Sequence, residues 1–101
     1  MECLACGIPT ILSQNTGHLD LIDPSHCYPL IHQKPVANNQ QHRGTQGWGE
    51  SDIDEIVETL EQIYLDRANA KQRGTIAAKF MQQWAWEKQI SKFLYKLQEF
   101  L

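Results

Sequence analysis

A chain of 101 residues makes at most one small domain, and burying a full core unaided is difficult at this size. A hydrophobic content of 42% with 21% charged residues excludes wholesale disorder, and a net charge of −3 gives no electrostatic case for nucleic acid or for an acidic membrane surface. No apolar run reaches membrane-spanning length, nothing at the start reads as a signal peptide, and three cysteines, an odd count, suit a reducing, cytoplasmic setting.

In chain order, Glu2 to Cys6 is helix-compatible, and Gly7 is placed to end that turn because it tolerates positive φ. Pro9 opens a strand, where its missing N–H costs least, and Thr10-Ile11-Leu12 continues it as an unbroken apolar run of the kind found where helices cover both sheet faces. Ser13 to Gly17 is turn chemistry, His18 to Ile22 predicts one helical turn, and Asp23-Pro24-Ser25 closes it. Cys27 to Ile31 reads as a second strand, which Pro29 confines to an edge or a loop. Lys34 to Trp48 is polar and without periodicity, a loop longer than most in compact domains.

The rest is helical. Ser51 or Asp52 caps a helix with an acid three residues on, and Ile53, Ile56, Val57, Leu60, Ile63 and Tyr64 form one apolar stripe. A second helix is predicted from about Arg67 to Gln83, with Ala70, Gly74, Ala77, Phe80, Met81 and Trp84 inside; Gly74 costs about 1 kcal/mol there and signals close backbone packing. A third starts near Trp86 and carries Ile90, Phe93, Leu94, Leu97 and Leu101. The three helices hold more apolar surface than two short strands can cover. The fold class expected is α/β: residues 1–34 strand and turn, 35–50 loop, 51–101 three helices.

Glu2 is the residue with the most chemical promise. A carboxylate accepts hydrogen bonds from two adjacent ribose hydroxyls at once, and in an open α/β sheet such an acid belongs at the crevice beyond the carboxyl ends of the strands. The plain alternative is a first-turn glutamate that favours only the helix dipole. Cys3 and Cys6 form C-x-x-C, with Cys27, His18 and His26 as the further ligands a zinc site would need. No second close pair accompanies them, so small, apolar, buried cysteines explain both positions, and no metal site is assigned. His18, His26, His32 and His42 share no helical spacing, and loop or surface roles are expected for all four, with His18 alone beside the presumed crevice. The stripe from Ile53 to Tyr64 reads as core first, with partner binding as its other use.

The run Glu2-Cys3-Leu4-Ala5-Cys6-Gly7-Ile8-Pro9-Thr10-Ile11 resembles, without a gap, the second half of the donor-sugar signature of retaining glycosyltransferases of the GT-B fold, the group 1 family. Asn15-Thr16-Gly17-His18-Leu19-Asp20-Leu21-Ile22 is similar to the family's next feature, with one glycine where many members have two and Asp20 where glutamate is commoner. Trp48, Glu50 and Asp52 before a helix, Gly74 and Ala78 within the next, and Trp84-Ala85-Trp86-Glu87 resemble its C-terminal pattern; Ala85 replaces a serine cap and weakens the last helix's start.

The resemblance implies the C-terminal part of a Rossmann-like, doubly wound donor domain. Its activity would be hexosyltransferase-type: transfer of a sugar from a nucleotide sugar to an acceptor, with retention and no cofactor. Glu2 would hold the donor's ribose. The sugar-contacting glutamate, the basic residues that neutralise the diphosphate, and the N-terminal acceptor domain would all precede Met1, itself readable as an internal methionine, so this chain alone is expected to be inactive. The last helix would bridge to the other domain. Peripheral membrane association, common among such relatives, leaves no mark in these residues. The rival expectation is a free-standing helical interaction module derived from such an enzyme.

Overall fold

The computed structural model describes residues 1–37, 39, 41 and 43–101. A single helical turn, α1 (Glu2–Ala5), leads through Gly7 into β1 (Ile11–Ser13), and a 3-10 helix (Thr16–Leu21) leads to β2 (Tyr28–Leu30). Next come β3 (Gln33–Pro35) and β4 (Gly49–Ser51), then α2 (Ile53–Leu65), α3 (Arg67–Met81), a 3-10 turn (Gln82–Trp84) and α4 (Trp86–Gln98). The fold is mixed α/β, as expected.

β1 and β2 pair in parallel, Ile11 opposite Tyr28 and Ser13 opposite Leu30. The Tyr28 N–H donates to the Thr10 carbonyl at 2.9 Å and the Gln14 N–H to the Leu30 carbonyl at 2.9 Å. Tyr28 and Leu30 therefore turn their backbone groups toward β1. Pro29, between them, turns its nitrogen to the outer edge, where no donor is required.

Two strands were not anticipated. At the two ends of the stretch expected to be a loop, β3 and β4 pair antiparallel, Gln33 opposite Ser51 and Pro35 opposite Gly49. Side chains far apart in sequence hold this second sheet against the first. Asn15 Nδ2 donates to Gln33 Oε1 at 2.7 Å and to the Gly49 carbonyl at 3.0 Å, Gln33 Nε2 donates to Ser51 Oγ at 2.9 Å, and the Ser13 and Ser51 hydroxyls meet at 2.7 Å. Ser51 is thus a strand residue, and Asp52 is the cap of α2, its carboxylate accepting the Glu55 N–H at 3.1 Å. In the turn before the 3-10 helix the positive φ falls on Thr16, at +45°, a conformation that β-branched residues seldom adopt.

The core lies where α1, the first 3-10 helix and β2 meet α3: Leu4, Leu21, Cys27, Ala77 and Met81 form one buried cluster, with Leu12, Phe80 and Trp84 against it. The contact between α1 and α3 runs backbone to backbone. A Cβ on Gly74 would lie 2.9 Å from the Gly7 carbonyl carbon and closer still to its oxygen, so the glycine inside α3 is what lets the two segments touch. Gly7 itself stops α1 at φ +73°. Arg73 ties α3 to β2: its guanidinium lies 4.2 Å over the Tyr28 ring and Nη1 donates to the Cys27 carbonyl at 3.1 Å.

The other two long helices bury nothing fully. Ile53, Val57, Leu60 and Tyr64 on α2, and Phe93 and Leu94 on α4, are all more than half exposed. The radius of gyration is 16.8 Å, where about 13 Å is usual for a compact chain of this length, and the molecule is a slab only 16 Å thick.

Candidate functional site

Glu2 stands in the first turn of α1, on the side of the turn away from Leu4, and its side chain is 96% exposed. A hydrogen bond from its own backbone N–H holds its carboxyl below the usual glutamate range. It is therefore ionised at neutral pH, an acceptor-only group with free lone pairs, as a diol would require. It lines a shallow groove of about 650 Å³ together with Trp84, Trp86 and Gln89. The Trp84 indole N–H in that neighbourhood is buried and has no hydrogen-bond partner among the described residues.

The carboxyl ends of β1 and β2 open elsewhere. A second groove, of about 430 Å³, is lined by Asn15, Thr16, Gln33, Lys34 and Trp48, but not by Glu2. Asn15, Gln33 and Gly49, whose hydrogen bonds join the two sheets, line it. His18 sits at this end, exposed, with Nδ1 donating to the Ser13 carbonyl at 3.2 Å. The acid and the crevice that sequence reasoning placed together are thus two separate surfaces.

Two expectations about single residues need correcting. His26 is not a surface group: it is 3% exposed, its ring stacks on Phe80 at 4.2 Å, and Nε2 donates to the Leu21 carbonyl at 2.7 Å. Cys3 and Cys6 are exposed rather than buried, because the single turn of α1 has one inward position and Leu4 takes it; only Cys27 is buried. Burial pushes the Cys27 thiol up, and its Sγ–H donates to the Asp23 carbonyl at 3.2 Å. His32 is exposed, 3.7 Å from Glu55, and His42 lies outside the described residues. Among the described residues no group of three or more His, Cys, Asp or Glu is arranged to hold a metal ion.

Glu55 is the structural carboxylate that sequence reasoning missed. Expected only as part of a helix-start box, it accepts the N–H groups of Ile31 at 2.8 Å and His32 at 2.9 Å and so fastens α2 to the end of β2. Spacing alone had paired it with the cap residue, and nothing local points to a segment more than twenty residues earlier.

No protein-family model, no curated protein and no solved structure matches this chain. Among the described residues no helix is long and apolar enough to cross a membrane.

Proposed function

We propose that this chain is the C-terminal part of the donor-binding domain of a retaining GT-B glycosyltransferase of the group 1 family, the remainder of a Rossmann-like doubly wound sheet. The observation that carries the reading is the run from Glu2 to Ile11 in its local setting. An ionised acid opens a one-turn helix, a glycine of positive φ ends it, and a strand with a parallel partner follows. Glu2 would accept hydrogen bonds from the two ribose hydroxyls of a nucleotide sugar. The groups that stabilise the departing diphosphate and bind the acceptor would belong to chain preceding Met1, so residues 1–101 would bind donor weakly and not turn over.

The test is the coding frame upstream of the Met1 codon. An open frame with a glutamate eight positions before Glu2 sustains the reading, and an in-frame stop without that glutamate overturns it. In the enzyme so extended, Glu2→Gln should weaken nucleoside diphosphate binding about tenfold or more, since hydrogen bonds to a charged acceptor contribute about 1.5–3 kcal/mol. Unchanged affinity by calorimetry would remove Glu2 from the site.

A second reading is favoured by the exposed apolar faces of α2 and α4: an interaction module whose helices are covered by a protein partner. A chain that is monodisperse and unfolds cooperatively without nucleotide supports it, and a molten or aggregating chain speaks for the enzyme fragment.

A further inference from the structure

The apolar faces of α2 and α4 have the same spacing and opposite borders. On α2 the exposed stripe is Ile53, Val57, Leu60 and Tyr64; on α4 it is Trp86, Ile90, Phe93 and Leu97, the same i, i+4, i+7, i+11 pattern. Beside the first stripe runs an acidic row, Asp54, Glu58 and Glu61, on a helix with no basic residue. Beside the second stand two lysines, Lys92 and Lys96, which share a groove with Phe93 and Phe100. Every residue of both rows is exposed.

We infer that α2 and α4 cover each other between two copies of this chain, in a two-fold dimer where α4 of each protomer lies along α2 of the other. Charge selects this pairing over its competitors. Antiparallel pairing of α2 with α2 sets acid rows together, antiparallel pairing of α4 with α4 sets lysines together, and parallel like pairs leave the acid row facing no lysine; only the mixed pairing sets acids against lysines. It also selects the direction. The acids follow their stripe residues by one position, whereas Lys92 and Lys96 precede theirs by one, so the rows lie on opposite flanks. They meet only when the helices run parallel; antiparallel packing would bring the acid row against Glu87. Within one chain α2 precedes and α4 follows α3, a helix about 22 Å long. The two-fold operation makes the contact twice and closes the assembly. The inference takes up the interaction reading, names its partner, and does not depend on Glu2.

The experiment is sedimentation of the full chain and two charge-reversed variants, Glu58→Lys/Glu61→Lys on α2 and Lys92→Glu/Lys96→Glu on α4, with circular dichroism to confirm that each keeps its helices. At about 100 µM the native chain should sediment at twice its 11.6 kDa mass and dissociate as salt rises from about 0.05 to about 0.5 M. Each variant alone should bind itself at least tenfold more weakly. An equimolar mixture should return to the dimer, because both of its interfaces again oppose unlike charges. A monomeric native chain, an open series of larger oligomers, variants that dimerise as well as the native chain, or a mixture that stays monomeric would each overturn the inference. None of the four substituted residues lines the Glu2 groove, whereas Trp86 of the α4 stripe does, so nucleotide binding is measured on the monomeric variants.

Discussion

Three long helices follow one another in this chain, and the one with the weakest apolar stripe is the one that is buried. α3 contributes Ala70, Gly74, Ala77 and Met81 to the interior, whereas α2 and α4, both strongly two-faced, contribute no fully buried residue. The difference is one of approach distance. Small side chains let the α3 backbone come against Gly7 and Leu4, and at that separation the contact is between main chains. The large side chains of α2 and α4 hold a surface away and need a partner with complementary relief. A strong stripe therefore marks a face that requires cover, and a stripe of small residues marks one that is already covered.

The sharpest way to break that comparison uses one chemistry at two sites. Leu4→Ala removes a fully buried side chain and should cost about 2–5 kcal/mol in urea unfolding. Leu60→Ala, at a position 53% exposed, should change stability by no more than about 0.5 kcal/mol in dilute, monomeric protein. Similar losses would mean that α2 is packed after all. Next in size is Gly74→Ala. Helix propensity alone would give a gain of about 1 kcal/mol. The clash with the Gly7 carbonyl should outweigh it and leave a net loss of about 1–3 kcal/mol. A more stable variant would show that α1 can slide off α3.

Caps come after packing. Asp52→Ala should cost about 1 kcal/mol by freeing the Glu55 N–H, while Ala85→Ser should add about 0.5–1 kcal/mol at the start of α4, which has no side-chain cap. Thermal unfolding of both variants reads the pair, and a neutral Ala85→Ser would mean that α4 frays independently of its cap. The smallest effect is a titration. The Ser25 hydroxyl and then the Ser25 N–H, 2.8 Å away, hold the Asp23 carboxyl below the ordinary aspartate range. A lowered folded value means the contribution is complete above that range and disappears as pH falls below it. The stability difference between the native chain and Asp23→Asn should accordingly narrow in acid, and a difference constant from pH 5 to pH 2 would contradict this.

What was legible in the sequence was local. Gly7 and Gly74 announced their roles because each is a glycine at a position where only a terminated helix or a close approach needs one. The first two strands, the start of α2 after Ser51 or Asp52 and the start of α4 near Trp86 followed from neighbours within a few residues. What was illegible was assembled at long range. β3 and β4 are three residues each, bordered by Pro35 and Gly49, and are held by Asn15, Gln33 and Ser51, which meet only after the chain has turned back twice. His26 is buried because Phe80, far along α3, supplies a ring to stack on, and no pattern around residue 26 signals that. The site suffered in the same way. The acid was readable, but the groove is lined by Gln33, Lys34 and Trp48, which come together only through β3 and β4.

Pro29 gives the small parallel sheet a direction of growth. Among the described residues each strand of that sheet has one neighbour and one open edge. On the β2 side a proline ring stands where an incoming strand would look for an N–H, so that edge is a poor template. On the β1 side Ile11 presents ordinary main-chain groups, while the Ser13 carbonyl already accepts from the Asn15 N–H and His18 Nδ1. Any strand recruited to this sheet, from a misfolded copy or an inserted peptide, adds beyond β1, and a proline substituted for Ile11 would close the molecule to such growth on both sides.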